Sequence, residues 1–231
     1  MAASTVLFSG GLDSAVLLAL ERRDHDRVWP VHVRSGFAWE DGERRAIDRL
    51  LAAPVFASGV APLTTLSVDM RDVYPATHWA VTGHPPAYDT PDEDVYLDGR
   101  NIILLSKAAV FCRRAGVHRI AMGTLHSNPF PDATPEFFGA MTEALSRGLD
   151  HAIEIATPLV GFHKDRVVTL GAELGVPMEL SMSCMNPQGS RHCGQCSKCR
   201  ERQDAFREAG MSDLTAYAEP WRGQSGMKSI K

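Results

Sequence analysis

The sequence predicts an α/β fold: a doubly wound, mostly parallel five-stranded sheet followed by a cysteine-rich C-terminal segment. Three observations carry this expectation. Strand and helix patterns alternate along most of the chain, and βαβα order places a parallel sheet between two helical layers. The first strand runs into the string Ser9-Gly10-Gly11-Leu12-Asp13-Ser14 and then into an apolar helix, the layout of a loop that receives an anion. Four of the five cysteines, Cys184, Cys193, Cys196 and Cys199, fall close together near the end of the chain.

Strands are expected over residues 5–8, 28–33, 63–68, 119–123 and 153–157, where short β-branched or apolar runs are bounded by turn residues. Helices are expected over 13–23, 41–51, 101–115, 135–147 and 164–174, where apolar residues recur at helical spacing. Pro30 is awkward inside the second strand, because it removes a ladder donor, and it points to an irregularity or a sheet edge there. Residues 70–98, with four prolines and an acidic run, are too long for an ordinary connector and read as a functional loop, a lid or a partly disordered stretch.

The 231 residues suit one large domain with an appendage, and 44% hydrophobic residues can form a sizeable core. The natural division is residues 1–180 as a nucleotide-binding domain, 181–210 as a metal-binding segment and 211–231 as a polar tail. A net charge of −4 does not advertise a nucleic-acid surface. No apolar run approaches the ~20 residues needed to cross a bilayer. A strand begins almost at once, leaving no room for a signal peptide, so a cytoplasmic protein is expected.

In an open α/β sheet, ligands sit beyond the carboxyl ends of the strands. The loop after the first strand is therefore the first candidate site. Gly10 and Gly11 let the backbone approach an anion closely, the helix start offers unpaired N–H groups, and Ser9 and Ser14 add hydroxyls. No Gly-Lys-Ser/Thr follows, so the loop is not a Walker motif, and adjacent glycines do not make a dinucleotide fingerprint. The string resembles the Ser-Gly-Gly-x-Asp-Ser loop of the ATP pyrophosphatases, which cleave ATP to AMP and pyrophosphate while adenylating a substrate.

The cysteine spacing Cys184-x8-Cys193-x2-Cys196-x2-Cys199 supplies four thiolates for one tetrahedral ion, and zinc is the favoured reading. An iron–sulfur cluster and a pair of disulfides are the rivals. Such a zinc site is closed, so its role would be structural. His192 is read as a neighbour of the site and Cys112, in an apolar helical pattern, as a small buried hydrophobe.

The two motifs together resemble the QueC (ExsB) family of 7-cyano-7-deazaguanine synthases. Gly99-Arg100-Asn101 before an apolar helix, Thr157-Pro158-Leu159 followed by Lys164, and Ser183-Cys184-Met185-Asn186 before the last three cysteines match in order. The resemblance implies a Rossmann-like fold of the adenine nucleotide alpha hydrolase type, with ATP, magnesium and zinc as cofactors. It implies adenylation of 7-carboxy-7-deazaguanine and its conversion with ammonia to the amide and then the nitrile. It also implies a homodimer. By resemblance, Ser9, Gly10, Gly11, Leu12, Asp13, Ser14 and Lys164 hold the pyrophosphate moiety, with Ser14, Lys164 and Asp13 catalytic and Asp13 a magnesium partner. Val31, His32 and Val33 lie where adenine rests, and Arg100 contacts nucleotide or substrate.

Two stretches depart from the family pattern. The Gln-Arg-His element after the second strand is replaced by residues 34–40, with Glu40 or Glu43 matching a family glutamate. The substrate loop reads His126-Ser127-Asn128-Pro129-Phe130-Pro131-Asp132-Ala133-Thr134, with His126, Ala133 and Thr134 in place of the family's aspartate, cysteine and arginine. There Phe130 can stack on a purine-like ring and Asp132 can accept from a guanine-like edge, or both can shape the turn before the Pro135 helix. The departures leave room for a ligase that joins a deazapurine carboxylate to another amine, on a protein for example. A tRNA-thiolating ATP pyrophosphatase is a further reading, disfavoured by the acidic net charge and the complete thiolate set.

Overall fold

The computed structural model describes residues 2–126 and 128–219. Ser127 of the substrate loop, and the polar tail beyond Glu219, lie outside the described residues.

Strand β1 (Ala3–Leu7) leads into helix α1 (Leu12–Asp24), then β2 (Arg27–Arg34), α2 (Glu40–Leu51) and β3 (Thr64–Ser67). A short helix α3 (Trp79–Thr82) interrupts the long loop before α4 (Arg100–Ala115). The chain then runs through β4 (Arg119–Ala121), α5 (Pro135–Leu149), β5 (Glu154–Ala156), α6 (Lys164–Glu173) and α7 (Ser197–Glu208). The five strands form one sheet in the order β3-β2-β1-β4-β5, every neighbouring pair parallel. The chain winds outward from β1 to β3 and then returns to lay β4 on β1's other side. The carboxyl ends of β1 and β4 therefore flank a topological switch point, where open sheets bind ligands.

Side-chain alternation along β1 divides the core. Val6 and Phe8 face one layer, with Leu12, Leu17 and Leu18 of α1, Ile47 and Leu50 of α2, and Val167 and Val168 of α6. Leu7 faces the other, with Leu105, Ala108 and Cys112 of α4 and Phe138 of α5. A strand buried on both faces reads as an unbroken apolar run rather than an alternating one. Cys112 is fully buried against Thr5, and burial pushes its thiol up to about 11, as a small core side chain should be.

Pro30 is not at a sheet edge, since β2 lies between β1 and β3. The irregularity is there instead. Phe8 N–H donates to the Val31 carbonyl, so Val31 faces β1 and Pro30 faces β3. On that side the pairing passes from an isolated Val28–Val60 bridge to a ladder that starts at Thr64, and the missing donor falls between them.

The cysteine-rich region holds a helix, α7, that has no counterpart among the sequence expectations. It packs on α6, and buried Arg202 fastens it. The guanidinium donates to Thr215 Oγ1 at 2.8 Å, Ser181 Oγ at 2.8 Å, Ser183 Oγ at 3.2 Å and the Met178 carbonyl at 2.7 Å. Residues 212–219 are thus held to the domain, and His192 exchanges backbone hydrogen bonds with Ala216 and Ala218. Replacing Arg202 by Met would leave several of these acceptors buried and unpaired, at ~1–3 kcal/mol each. Urea unfolding should therefore show a loss of about 3 kcal/mol or more; a loss under ~1 kcal/mol would mean these bonds contribute little.

Candidate active site

The loop after β1 is set by two constraints. Gly10 has φ +76°, and a Cβ there would lie 2.8 Å from Ile47 Cγ1, so α2 passes directly behind the loop. Gly11 then opens α1. Its N–H donates to Ser9 Oγ at 3.2 Å, and its carbonyl accepts from Ser14 Oγ at 3.0 Å; the two hydroxyls are 3.2 Å apart. The N–H groups of Leu12, Asp13 and Ser14 precede any i−4 acceptor in the helix and remain as an anion-receiving end. The Leu12 side chain itself is buried in the core, so only its backbone serves the loop.

Lys164 begins α6 and comes back to this loop. Its Nζ is 2.6 Å from Asp13 Oδ2 and 3.2 Å from Glu201 Oε1 on α7. The lysine is not a solvated surface residue. Burial alone would pull its pKa down, but the Asp13 and Glu201 carboxylates outweigh it and hold the ammonium well above its ordinary value. Burial works against ionised Glu201 as well, yet Lys164 and Lys198 bring its carboxyl down to about 2. Asp13 Oδ1 is buried without a hydrogen-bond partner. An orphaned carboxylate oxygen beside a phosphate-sized loop fits a hard cation such as magnesium.

Two adjoining cavities, of about 260 and 270 Å³, open at this end of the sheet. The first is lined by Ser9, Ser14, the β2 residues Val31, His32 and Val33, the segment 122–124 that follows β4, and residues of α4. His32 lies almost fully inside; its Nδ1 meets the Phe8 carbonyl at 3.2 Å, its Nε2 has no partner, and burial lowers its pKa, so the imidazole is neutral. The second is lined by Lys164, Glu201, Trp39, Trp79 and Cys184. Arg100, Asn128 and Phe130 border both. The guanidinium of Arg100 lies 5.9 Å from the Trp39 ring centroid, and its Nε is buried and unpartnered.

The substrate-loop residues have distinct places. Phe130 packs on Tyr96 with ring centroids 5.2 Å apart and keeps a face on the cavities. Asp132 is engaged by Asn101, whose backbone N–H and Nδ2 donate to its carboxylate at 3.0 and 3.2 Å. It therefore caps the start of α4 as well as bordering the first cavity. The long loop 70–98 forms part of the wall: Val95 and Leu97 line both cavities, and Tyr74 and Trp79 extend an aromatic stack through Phe37 and Trp39.

Of the two candidate glutamates, Glu40 is occupied by the backbone N–H groups of Ser35 and Gly36. Glu43 faces both cavities instead. Burial pushes its carboxyl up to about 7, against the pull of Arg100.

The four cysteine sulfurs all lie within 4.8 Å of one another and are buried. Zinc–thiolate bonds of about 2.3 Å in a tetrahedron place sulfurs ~3.8 Å apart, and Cys196–Cys199 at 3.5 Å and Cys193–Cys199 at 3.9 Å sit near that edge. Backbone N–H groups of Asn186 and Cys193 point at Cys184 Sγ, and that of Gln195 at Cys193 Sγ. Such a donor set can hold a single metal ion. His192 is a neighbour: its Nε2 accepts the Ser183 N–H at 3.0 Å, outside the sulfur cluster.

Sequence reasoning placed the loop, Lys164 and the cysteines but missed Glu201 and Asn101 as partners. No spacing rule connects Glu201 to Lys164, which meet only because α7 packs on α6.

The chain matches the family model described as queuosine biosynthesis protein QueC over residues 3–210. It is 34% identical over 229 residues to the 7-cyano-7-deazaguanine synthase of Methanothrix thermoacetophila, covering 94% of this chain and 99% of that protein. The enzyme of the same name from Methanopyrus kandleri is 36% identical over 234 residues, with 95% and 100% covered. That from Stenotrophomonas maltophilia is 32% identical over 227 residues, with 94% and 100% covered.

The paired lysine makes a prediction about acid. Glu201 is depressed from 4.5 to about 2 in the folded chain, so its contribution is complete above 4.5 and is lost as the pH falls toward 2. Across that window, unfolding free energy should fall more steeply in the parent chain than in Glu201→Gln. Parallel slopes would show that the ion pair adds nothing to stability.

Proposed function

The chain belongs to the QueC family, and from that membership we propose that it is an ATP-dependent carbon–nitrogen ligase that makes 7-cyano-7-deazaguanine. The substrates are 7-carboxy-7-deazaguanine, ammonia and ATP. The observation that carries the reading is the joining of the glycine loop, Asp13 and Lys164 in the lining of one cavity that Arg100 also lines.

A carboxylate is a poor electrophile. Attack of its oxygen on the α-phosphorus of ATP releases pyrophosphate and leaves an acyl adenylate with AMP as a good leaving group. Ammonia then forms the amide. A second adenylation, at the amide oxygen, permits loss of AMP to the nitrile. The chemistry rests on positioning and on neutralising phosphate charge, not on a covalent enzyme intermediate.

In this reading Ser9, Ser14 and the N–H groups of Leu12, Asp13 and Ser14 receive the pyrophosphate, and Lys164 supplies a fixed positive charge beside it. Asp13 Oδ1 would hold magnesium, which screens the phosphate charges. Val31, His32 and Val33 form the adenine wall. The unpartnered Arg100 Nε and the Phe130 face serve the deazapurine acid, Arg100 replacing the carboxylate-binding arginine that the 126–134 loop lacks. Asp132 contributes through Asn101 and the α4 start, and a guanine-edge contact would use what remains of its carboxylate. The four thiolates would hold zinc as a structural ion that fixes the chain between α6 and α7.

Incubation with 7-carboxy-7-deazaguanine, ATP, magnesium and ammonium should yield amide, nitrile and AMP by mass spectrometry. Ser14→Ala and Lys164→Ala should each reduce AMP formation by about 10²-fold or more, the scale of losing one charge-stabilising donor. Full activity in both variants would refute the phosphate assignments, and absence of substrate-dependent AMP would refute the reaction. Metal analysis should find one zinc and no iron per chain.

A further inference from the structure

We propose that Glu43 is the proton acceptor of the amination step, the group that converts bound ammonium to nucleophilic ammonia. The inference deepens the proposed synthase reading and rests on it.

Among the described residues, four side-chain carboxylates line the two cavities: Asp13, Glu43, Asp132 and Glu201. Three are committed elsewhere. Asp13 and Glu201 share Lys164, and Asp132 is engaged by Asn101. Glu43 is the remaining one, and it borders both cavities, where a nucleotide in one and the deazapurine acid in the other would meet. Its carboxyl is nearly inaccessible from outside, held by a hydrogen bond from Trp39. The groups facing it are Glu40 on its own helix, Arg100 of α4, and, across the cavities, Asp13 of α1 and His32 of β2. Burial disfavours the protonated form of His32, and Glu40 is held by backbone donors, so both are weaker proton acceptors for the cavity than Glu43. Burial raises Glu43 to about 7, which places it where a carboxylate can both accept and release a proton near neutrality.

The step balances. Ammonium gives one proton to a Glu43 oxygen. The freed lone pair forms the C–N bond to the acyl carbon, the C–O bond to AMP breaks, and AMP leaves with that electron pair. The extra proton on nitrogen is lost to solvent, and Glu43 releases its own proton to solvent before the next turnover. An anionic Glu43 beside the anionic substrates also favours entry of ammonium, a cation, into a site otherwise built for anions.

Glu43→Gln preserves shape and removes the basic oxygen. Hydroxylamine separates the roles, because it is neutral near pH 7 whereas ammonia is almost wholly protonated there. In Glu43→Gln, substrate-dependent pyrophosphate–ATP exchange and hydroxamate formation should remain within about threefold of the parent. Amide formation from ammonium should fall by about 10²-fold, the usual scale for a general base. The parent's amide rate should rise through a pH near 7, and the variant should lose that inflection. Glu43→Asp should restore part of the ammonium-dependent rate.

If Glu43→Gln loses exchange, hydroxamate and amide alike, Glu43 only shapes the site and the proposal is overturned. If it retains the ammonium-dependent rate, the proposal is equally overturned. Failure of the synthase reading is distinct: the parent itself would show no exchange with the deazapurine acid.

Discussion

A lysine taken out of water stays charged only if carboxylates come with it, and the Asp13–Lys164–Glu201 contact is that requirement met across three helices. Asp13 sits in the first turn of α1, Lys164 opens α6 and Glu201 lies within α7. The glycine loop after β1, the segment beyond the last strand and the cysteine-rich region are therefore held in one arrangement. Breaking the contact would strand buried charge on one side or the other, which costs far more than a surface pair. A positive charge is thus positioned beside the loop before any nucleotide arrives.

The sheet order gives this arrangement its place. Because β4 returns beside β1, the loop after β1, the start of α4 and the segment after β4 converge on one crevice. The cysteine-rich segment closes the same crevice from the side, with Cys184 bordering the second cavity. A metal held by the four cysteines would set the path of the chain around Met182, Ser183 and Lys198, all of which line the second cavity. Gly42 shows how tight the fit is: a Cβ there would lie 2.5 Å from Pro187 Cγ, so α2 and the cysteine segment approach within glycine distance.

The parts legible in sequence were those with local physics. A strand, two glycines and a helix start point to an anion-receiving loop in six residues, and cysteines at short spacing point to a cluster that can hold a metal ion. Alternation announced all five strands and their parallel direction. What sequence could not show depends on which helices touch. Glu201 lies in a stretch for which the sequence predicts no helix, and only the packing of α7 on α6 brings it to Lys164. Asp132 was weighed between a ligand contact and a turn; the structure gives it a third task, binding Asn101 at the start of α4. Pro30 signalled a defect correctly but not where it lay, since the facing edge is set by long-range pairing. The loop 70–98 reads as a functional loop, a lid or a partly disordered stretch, because its prolines defeat periodicity; Tyr74 and Trp79 of that loop pack on Phe37 and Trp39 beside the cavities.

The central claim is that this crevice transfers AMP onto a deazapurine carboxylate, and oxygen tracing tests it most directly. With 7-carboxy-7-deazaguanine labelled with ¹⁸O in both carboxylate oxygens, each adenylation and displacement carries one substrate oxygen into AMP. The account predicts labelled AMP in step with amide and then nitrile formation, and unlabelled pyrophosphate. Label appearing in orthophosphate or pyrophosphate, or product formed with unlabelled AMP, would contradict it.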